Sequence, residues 1–316
     1  MFKADPDTQR MINWAAAAGL PPLQSLAPAA ARAQSAAGTA KTALDLEPVA
    51  KVDNLDIDGP GGPLPIRIYH PTTTADGPPP IILYYHGGGF VIGSIDTHDS
   101  IPRVLANRAG AIAISVEYRL APEHRYPAGV EDAVTSVHWA AEHGAAIGGD
   151  PTRLAVAGDS AGGNLAAVAA LRVRNTVGKA LVAQALLYPV TDHGDLSVHA
   201  SRADHEDTFP IRKPLMAWFH KHYFGHDDPM TEPDASPLHH PDLSGSAPAY
   251  VLTAGLDPLM SEGKAYADAL EAAGVDVVYS CWETTIHGFL QMGQVIPAAR
   301  DALHEAADYL KQRFEG

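Results

Sequence analysis

Only one of the 316 residues is a cysteine, Cys281, so no disulfide can form within the chain and the fold must hold by packing alone. Positive charge is also scarce. Twenty-two Lys and Arg face 37 Asp and Glu, a formal net charge of −15, and no basic cluster offsets it. Such a body repels a phosphate backbone, which excludes a nucleic-acid partner. No uninterrupted apolar run approaches the ~18 residues that a membrane-spanning helix needs, so no membrane partner is expected. Charged residues make up 19%, below the ~25% usual in globular chains, which leaves little for ion-pair networks. Near the start, Asp5 and Asp7 stand where a secretory leader would be basic, and Gly19, Pro21 and Pro22 break the alanine-rich stretch. The expected location is cytoplasmic, a reducing compartment that suits the lone thiol. What is abundant is apolar side chain, at 46%, enough to bury a core in one large domain or two small ones.

No repeat of solenoid period is present. Up to about Thr42 the chain is rich in Ala, Leu, Gln and Arg with interspersed Pro and Gly, and Met11, Ile12, Trp14, Ala15 and Ala18 fall at helical spacing. From Val49 the texture changes. Residues 52–57 and 64–69 alternate with period two around a Gly- and Pro-rich turn, which predicts an antiparallel hairpin. Apolar strands at 81–85, 111–117, 154–157, 183–187, 250–253 and 275–282 then alternate with helical segments at 101–109, 130–143, 161–174, 261–273 and 297–313. Strand–helix alternation predicts an α/β fold whose parallel sheet is covered on both faces. Residues 191–240 interrupt the rhythm. They are polar and rich in His and Asp, with one helical stretch at 214–224, as befits a lid or substrate cover.

Three segments carry chemistry. Gly158-Asp159-Ser160-Ala161-Gly162-Gly163 lies between a predicted strand and a predicted helix, the context of a nucleophile elbow. Its serine hydroxyl is lifted above the sheet at a helix N-terminus, where developing negative charge is favoured. His86-Gly87-Gly88-Gly89-Phe90 follows another strand, and its glycines let backbone N–H groups approach a substrate oxygen. Neither a G-x-G-x-x-G fingerprint nor a Walker lysine is present to make it a phosphate loop. With the N–H of Ala161, the amides of Gly88 and Gly89 form a candidate oxyanion hole, and His86 reads as a positioning residue. A serine needs a base, and the base an orienting acid, in the chain order Ser, Asp, His. Asp257 follows the 250–253 strand, and His287 follows the last one. Glu283 is the competing acid, but it lies too near His287 in sequence to come from the preceding strand's loop.

Together these segments resemble the hormone-sensitive-lipase-type esterases, the bacterial family IV carboxylesterases of the α/β-hydrolase fold. The similarity rests on the two glycine motifs, on Tyr118-Arg119-Leu120-Ala121-Pro122-Glu123, on Asp96-Thr97-His98, and on Asp257-Pro258-Leu259 and His287-Gly288-Phe289. It covers nearly the whole chain. It implies a mostly parallel eight-stranded sheet flanked by helices, with cap helices in residues 1–48 and a cap insertion at 191–240. The catalytic core would comprise 49–190 and 241–316. It further implies Ser160 as nucleophile, Asp257 and His287 as the rest of a triad, and Gly88, Gly89 and Ala161 as oxyanion donors. The substrates implied are short- to medium-chain carboxylic esters, hydrolysed through an acyl-enzyme with no cofactor and no metal. Dimers are common in that family, so a homodimer is admitted. In one place the chain departs from the family pattern. The usual Arg-Asp after Asp-Pro-Leu is Met260-Ser261 here, with Glu262 retained, which puts in doubt any ion pair made there.

Other features read more plainly. Cys281 is expected as a packed core thiol. His220, His222 and His226, with His193, His199 and His205, lack an acidic ligand at fixed offset and are read as polar cap surface rather than a metal site. Trp218, Phe219, Tyr223 and Phe224 either form an apolar helix face or line the pocket, and Tyr118, Arg119 and Glu123 read as structural. An amidase, lactonase or acyltransferase would use the same triad. A non-catalytic binder of this fold is disfavoured because Ser160, Asp257 and His287 are all present.

Overall fold

Two helices open the chain, α1 (Pro6–Ala17) and α2 (Pro28–Thr42), each with proline in its first turn, where the missing N–H costs nothing. The computed structural model describes residues 2–226, 228 and 230–316; positions 227 and 229 of the expected insertion lie outside the described residues. Asp5 caps α1 by accepting the Thr8 N–H at 2.7 Å. Both helices bury little of themselves, chiefly Thr8 and Met11 in α1 and Ala31 and Thr42 in α2.

The predicted hairpin is β1 (Lys51–Gly59) with β2 (Gly62–His70), in register Ile57 to Leu64. Alternation then runs as β3 (Ile81–Tyr85), α3 (Ser100–Ala109), β4 (Ile112–Val116), α4 (Ala128–His143), β5 (Leu154–Asp159), α5 (Ala161–Val173) and β6 (Leu181–Leu187). The insertion carries α6 (Ala200–Asp204) and α7 (Lys213–Phe224), and the chain returns through β7 (Ala249–Leu256), α8 (Met260–Ala272), β8 (Val277–Ile286) and α9 (Ala298–Glu315). The sheet order is β1-β2-β4-β3-β5-β6-β7-β8. Strand β2 is antiparallel to β1 and β4, and the remaining pairs are parallel. Strands β3, β4, β5 and β7 are buried at every position, as their unbroken apolar runs require when helices cover both faces. The sheet thus brings the C-terminal ends of β3, β5, β7 and β8 to one edge, where the loops bearing the candidate residues emerge.

Three expectations are corrected. Strand β8 starts at Val277 and runs on to Ile286, so Glu283 lies inside it, exposed, rather than in a loop. Cys281 is not a packed core thiol but a partly exposed one, because β8 is an edge strand with a neighbour, β7, on one side only. The insertion holds a second helix, α6, whose five residues are too few to show a period. Among the described residues, no helix is long and apolar enough to cross a membrane.

Candidate active site

Ser160 sits at the joint between β5 and α5 with φ 57° and ψ −117°, a backbone conformation rare for a residue with a Cβ. The surroundings enforce it. The Ser160 N–H donates to the Leu187 carbonyl at 2.8 Å, which ties the turn to β6. A Cβ at position 158 would overlap the Gly162 carbonyl, and one at 162 the Tyr85 carbonyl, so only glycine lets the strand and helix approach this closely. The hydroxyl is left at the N-terminus of a helix of 13 residues that is buried on nearly every side.

Asp257 follows β7 directly, and His287 follows β8 directly. Their side chains meet, with Nδ1 of His287 2.7 Å from Oδ2 of Asp257. An ionised carboxylate only accepts, so Nδ1 carries the proton and Nε2 is left as the acceptor for the Ser160 hydroxyl, 2.8 Å away. Asp257 is fully buried, and its second oxygen accepts the Leu259 N–H at 2.8 Å. The ring of Tyr188 lies 4.9 Å from that of His287 and backs it. The exposed Glu283 makes no part of this arrangement.

The glycine loop after β3 turns with Gly88 at φ 124° and Gly89 at φ 58°. Among the described residues, the N–H groups of Gly88, Gly89 and Ala161 donate to no turn, loop or cap carbonyl, which leaves them available to a ligand oxygen. Asp159, which the sequence left without a role, holds this loop. Its Oδ1 accepts the Gly87 N–H at 2.8 Å and the Tyr84 hydroxyl at 2.5 Å, and its Oδ2 faces Nε2 of His98 at 3.6 Å. Burial pushes the Asp159 carboxyl up, but His98 and the Tyr84 hydroxyl outweigh it and hold it below the usual carboxylate range. Arg32 of α2 reaches the other flank, donating to the carbonyls of Val91 and Ala121, each at 2.8 Å, and pairing with Glu123.

His86 is a positioning residue by geometry. Its Nδ1–H donates to the Gly87 carbonyl at 2.7 Å, and its ring stacks on Tyr118 at 4.4 Å. Burial, with His98 beside it, pushes the imidazole down to about 3. An unfolded histidine protonates near ~6.5, so below that pH the unfolded chain binds one proton more than the folded one. The stability held by this group is complete above ~6.5 and is lost as pH falls, at ~1.4 kcal/mol per pH unit. His193, also pushed down to about 3 by burial, acts in the same direction. Urea denaturation should therefore show a lower midpoint near pH ~5.5 than near ~7.5, with part of that drop removed in His86→Asn. A midpoint that does not move over the interval contradicts a buried neutral His86.

A cavity of about 1810 Å³ opens over Ser160 and His287. Gly88 and Gly89 form part of its floor, and α1, α2, α6 and α7 contribute walls. Of the four aromatic residues on α7, Phe219 and Tyr223 line the cavity, whereas Phe224 packs into the core and the half-buried Trp218 packs against it. Phe219 presses on Gly89, where a Cβ would collide with its ring. The reading of the insertion's histidines as cap surface fails for three of them. His199 and His205 are buried, and Nε2 of His193 is sealed with no hydrogen-bond partner among the described residues. For His199 the partner is the buried carboxylate of Asp192, 2.8 Å away, which also takes His239 from 47 residues on. Among the described residues, no three His, Cys, Asp or Glu are grouped to hold a metal.

Residues 82–291 match a family model described as the α/β-hydrolase fold. Esterase LipI of Mycobacterium tuberculosis is 43% identical over 273 residues, spanning 86% of this chain and 85% of the relative. The chain belongs to the hormone-sensitive-lipase-like esterases. Carboxylesterase NlhH of the same organism is 40% identical over 86% of both chains. The solved ester hydrolase EH1AB1 from the Lake Arreo metagenome, in complex with a bipyridine phosphonate derivative, superposes with a TM-score of 0.94 at 38% identity. The match covers 99% of this chain and 100% of that one. This member of the family is a carboxylic ester hydrolase, and esters are its substrates.

Proposed function

We propose that this esterase works through Ser160 as nucleophile, His287 as general base and Asp257 as the acid that orients it, on short- to medium-chain acyl esters held under a two-part cap. The observation that carries the reading is the unbroken chain from Ser160 Oγ to His287 Nε2 at 2.8 Å and from Nδ1 to Asp257 Oδ2 at 2.7 Å, built from three separate strand ends. Oγ attacks the ester carbonyl while Nε2 takes its proton, and Asp257 stabilises the imidazolium that forms. The carbonyl oxygen, now an oxyanion, is received by the amides of Gly88, Gly89 and Ala161, at the N-terminus of α5. His287 returns its proton to the leaving alcohol. Water enters and gives a proton to His287 as its oxygen attacks the acyl carbon; the bond to Ser160 Oγ then breaks, His287 hands that proton back to Oγ, and the acid leaves.

Residues 1–48 and 191–240 act as the cap. In support, both contribute cavity walls, such as Met11 and Trp14 from α1 and Leu215 and Met216 from α7. A pocket walled by helices on several sides favours an acyl chain of limited length over a long triglyceride chain, which needs an open apolar face. The test is a series of p-nitrophenyl esters from acetyl to palmitoyl, run beside fluorophosphonate labelling read by mass spectrometry. The expected result is maximal kcat/KM at butyryl or hexanoyl, about tenfold or more lower at palmitoyl, with one adduct on Ser160. A maximum at palmitoyl overturns the chain-length reading, and a label elsewhere overturns the nucleophile.

A further inference from the structure

The loop that carries Asp257 is short, and its own residues leave the start of α8 without a side-chain cap. Pro258 has no N–H, and Leu259, at the N-cap of α8, has no side chain that can cap a helix. The missing cap comes from 60 residues away. Ser201, on α6 in the insertion and 1% exposed, accepts the Ser261 N–H on its Oγ at 3.0 Å and donates the same hydroxyl to the Pro258 carbonyl at 2.6 Å. The Ser201 N–H in turn donates to the Ser261 hydroxyl at 3.1 Å. The neighbouring pair seals the junction: Nε of Arg202 lies 2.8 Å from Oε2 of Glu262, whose Oε1 accepts the Thr191 N–H at 3.0 Å.

The Pro258 carbonyl and the Leu259 N–H are the two ends of one planar peptide unit. The N–H end is the group that bonds Oδ1 of Asp257 at 2.8 Å. Fixing the oxygen end therefore fixes the direction of the N–H, and a donated hydroxyl polarises the unit so that the N–H binds the carboxylate more strongly. A continuous line of hydrogen bonds runs from Ser201 through this peptide to Asp257, then to His287 and Ser160. We infer that Ser201 is a positioning residue for Asp257, its hydroxyl acting through the Pro258–Leu259 peptide. The inference rests on the triad reading above. It makes the insertion part of the apparatus that orients the general base as well as a wall of the pocket.

The test compares Ser201→Ala, Ser201→Thr and Ser261→Ala with the parent enzyme on p-nitrophenyl butyrate. Each kcat is divided by the fraction of sites labelled by a fluorophosphonate, so that unfolded protein does not count. Ser201→Ala should lose about tenfold in kcat per labelled site with KM little changed, since small misplacements of a catalytic group are costly. The downfield proton resonance of the His287 Nδ1–H should move upfield in the same variant. Ser201→Thr keeps the hydroxyl and should keep both properties, and Ser261→Ala, which spares the bond to Pro258, should stay within about twofold. An unchanged kcat per labelled site in Ser201→Ala, an unmoved resonance, or an equal loss in Ser261→Ala each overturns the inference. Ser160→Ala is measured alongside. Turnover surviving in that variant would sink the triad reading itself, whereas a dead Ser160→Ala beside a normal Ser201→Ala sinks only the role of Ser201.

Discussion

Ser160→Ala should lower kcat for p-nitrophenyl butyrate on the order of 10⁶-fold, the scale on which removing the nucleophile of a comparable triad acts. No other group can replace it. The cavity floor at this point is formed by glycine amides and an imidazole, and the His287 Nε2 that would activate water is placed for a hydroxyl 2.8 Å away. The variant should still fold. Alanine has no γ-atom to clash in the turn, the Ser160 N–H still reaches Leu187, and the freed Nε2 faces the cavity rather than packed protein. Thermal unfolding should thus stay within a few degrees of the parent while turnover disappears. Residual activity above about a thousandth of the parent value would mean that another nucleophile operates.

The second large effect belongs to Asp159, whose carboxylate ties the glycine loop to β3. Asp159→Ala leaves the hydroxyl of Tyr84 and the N–H of Gly87, both buried residues, without their shared acceptor. Removing one partner from a buried charged network costs about 3–5 kcal/mol. It also frees the loop that presents Gly88 and Gly89, so kcat should fall about 10²- to 10³-fold, as when an oxyanion donor is lost. Asp159→Asn keeps an acceptor at Oδ1 and should fall between the two. Steady-state kinetics paired with calorimetry reads both consequences. A folded Asp159→Ala enzyme with kcat within threefold of the parent would show that the loop holds its shape without this carboxylate.

Much of the architecture was readable because it depends on local pattern. Unbroken apolar runs marked the buried strands, glycines at 158 and 162 marked the tight joint, and chain order singled out Asp257 and His287 among 37 acids and 16 histidines. What escaped reading depends on contacts between distant residues. The five residues of α6 are too few for a period, yet they carry Ser201 and Arg202 to α8. The doubt over an ion pair near Asp257 resolves in the same way. Glu262 keeps a cationic partner, but that partner is Arg202, 60 residues upstream, and nothing in the local sequence announces it. Asp159 was visible inside the nucleophile motif, but its role depends on Tyr84 and Gly87, which reach it across the β3–β5 pairing.

The cavity walls contributed by α1, α2, α6 and α7 come from stretches that pair with none of the eight strands. A strand that gains or loses a residue turns its core face outward, whereas these helices have no register to lose. Pocket shape and reaction chemistry can therefore diverge at different rates over evolutionary time. Lengthening α7 or resizing Phe219 changes what fits above Gly89, while the spacing of Ser160, Asp257 and His287 stays set by β5, β7 and β8. The few side chains that bind the helices to the floor, such as Arg32 and Ser201, are where that independence ends, and a library aimed at new esters does best to vary the walls around them.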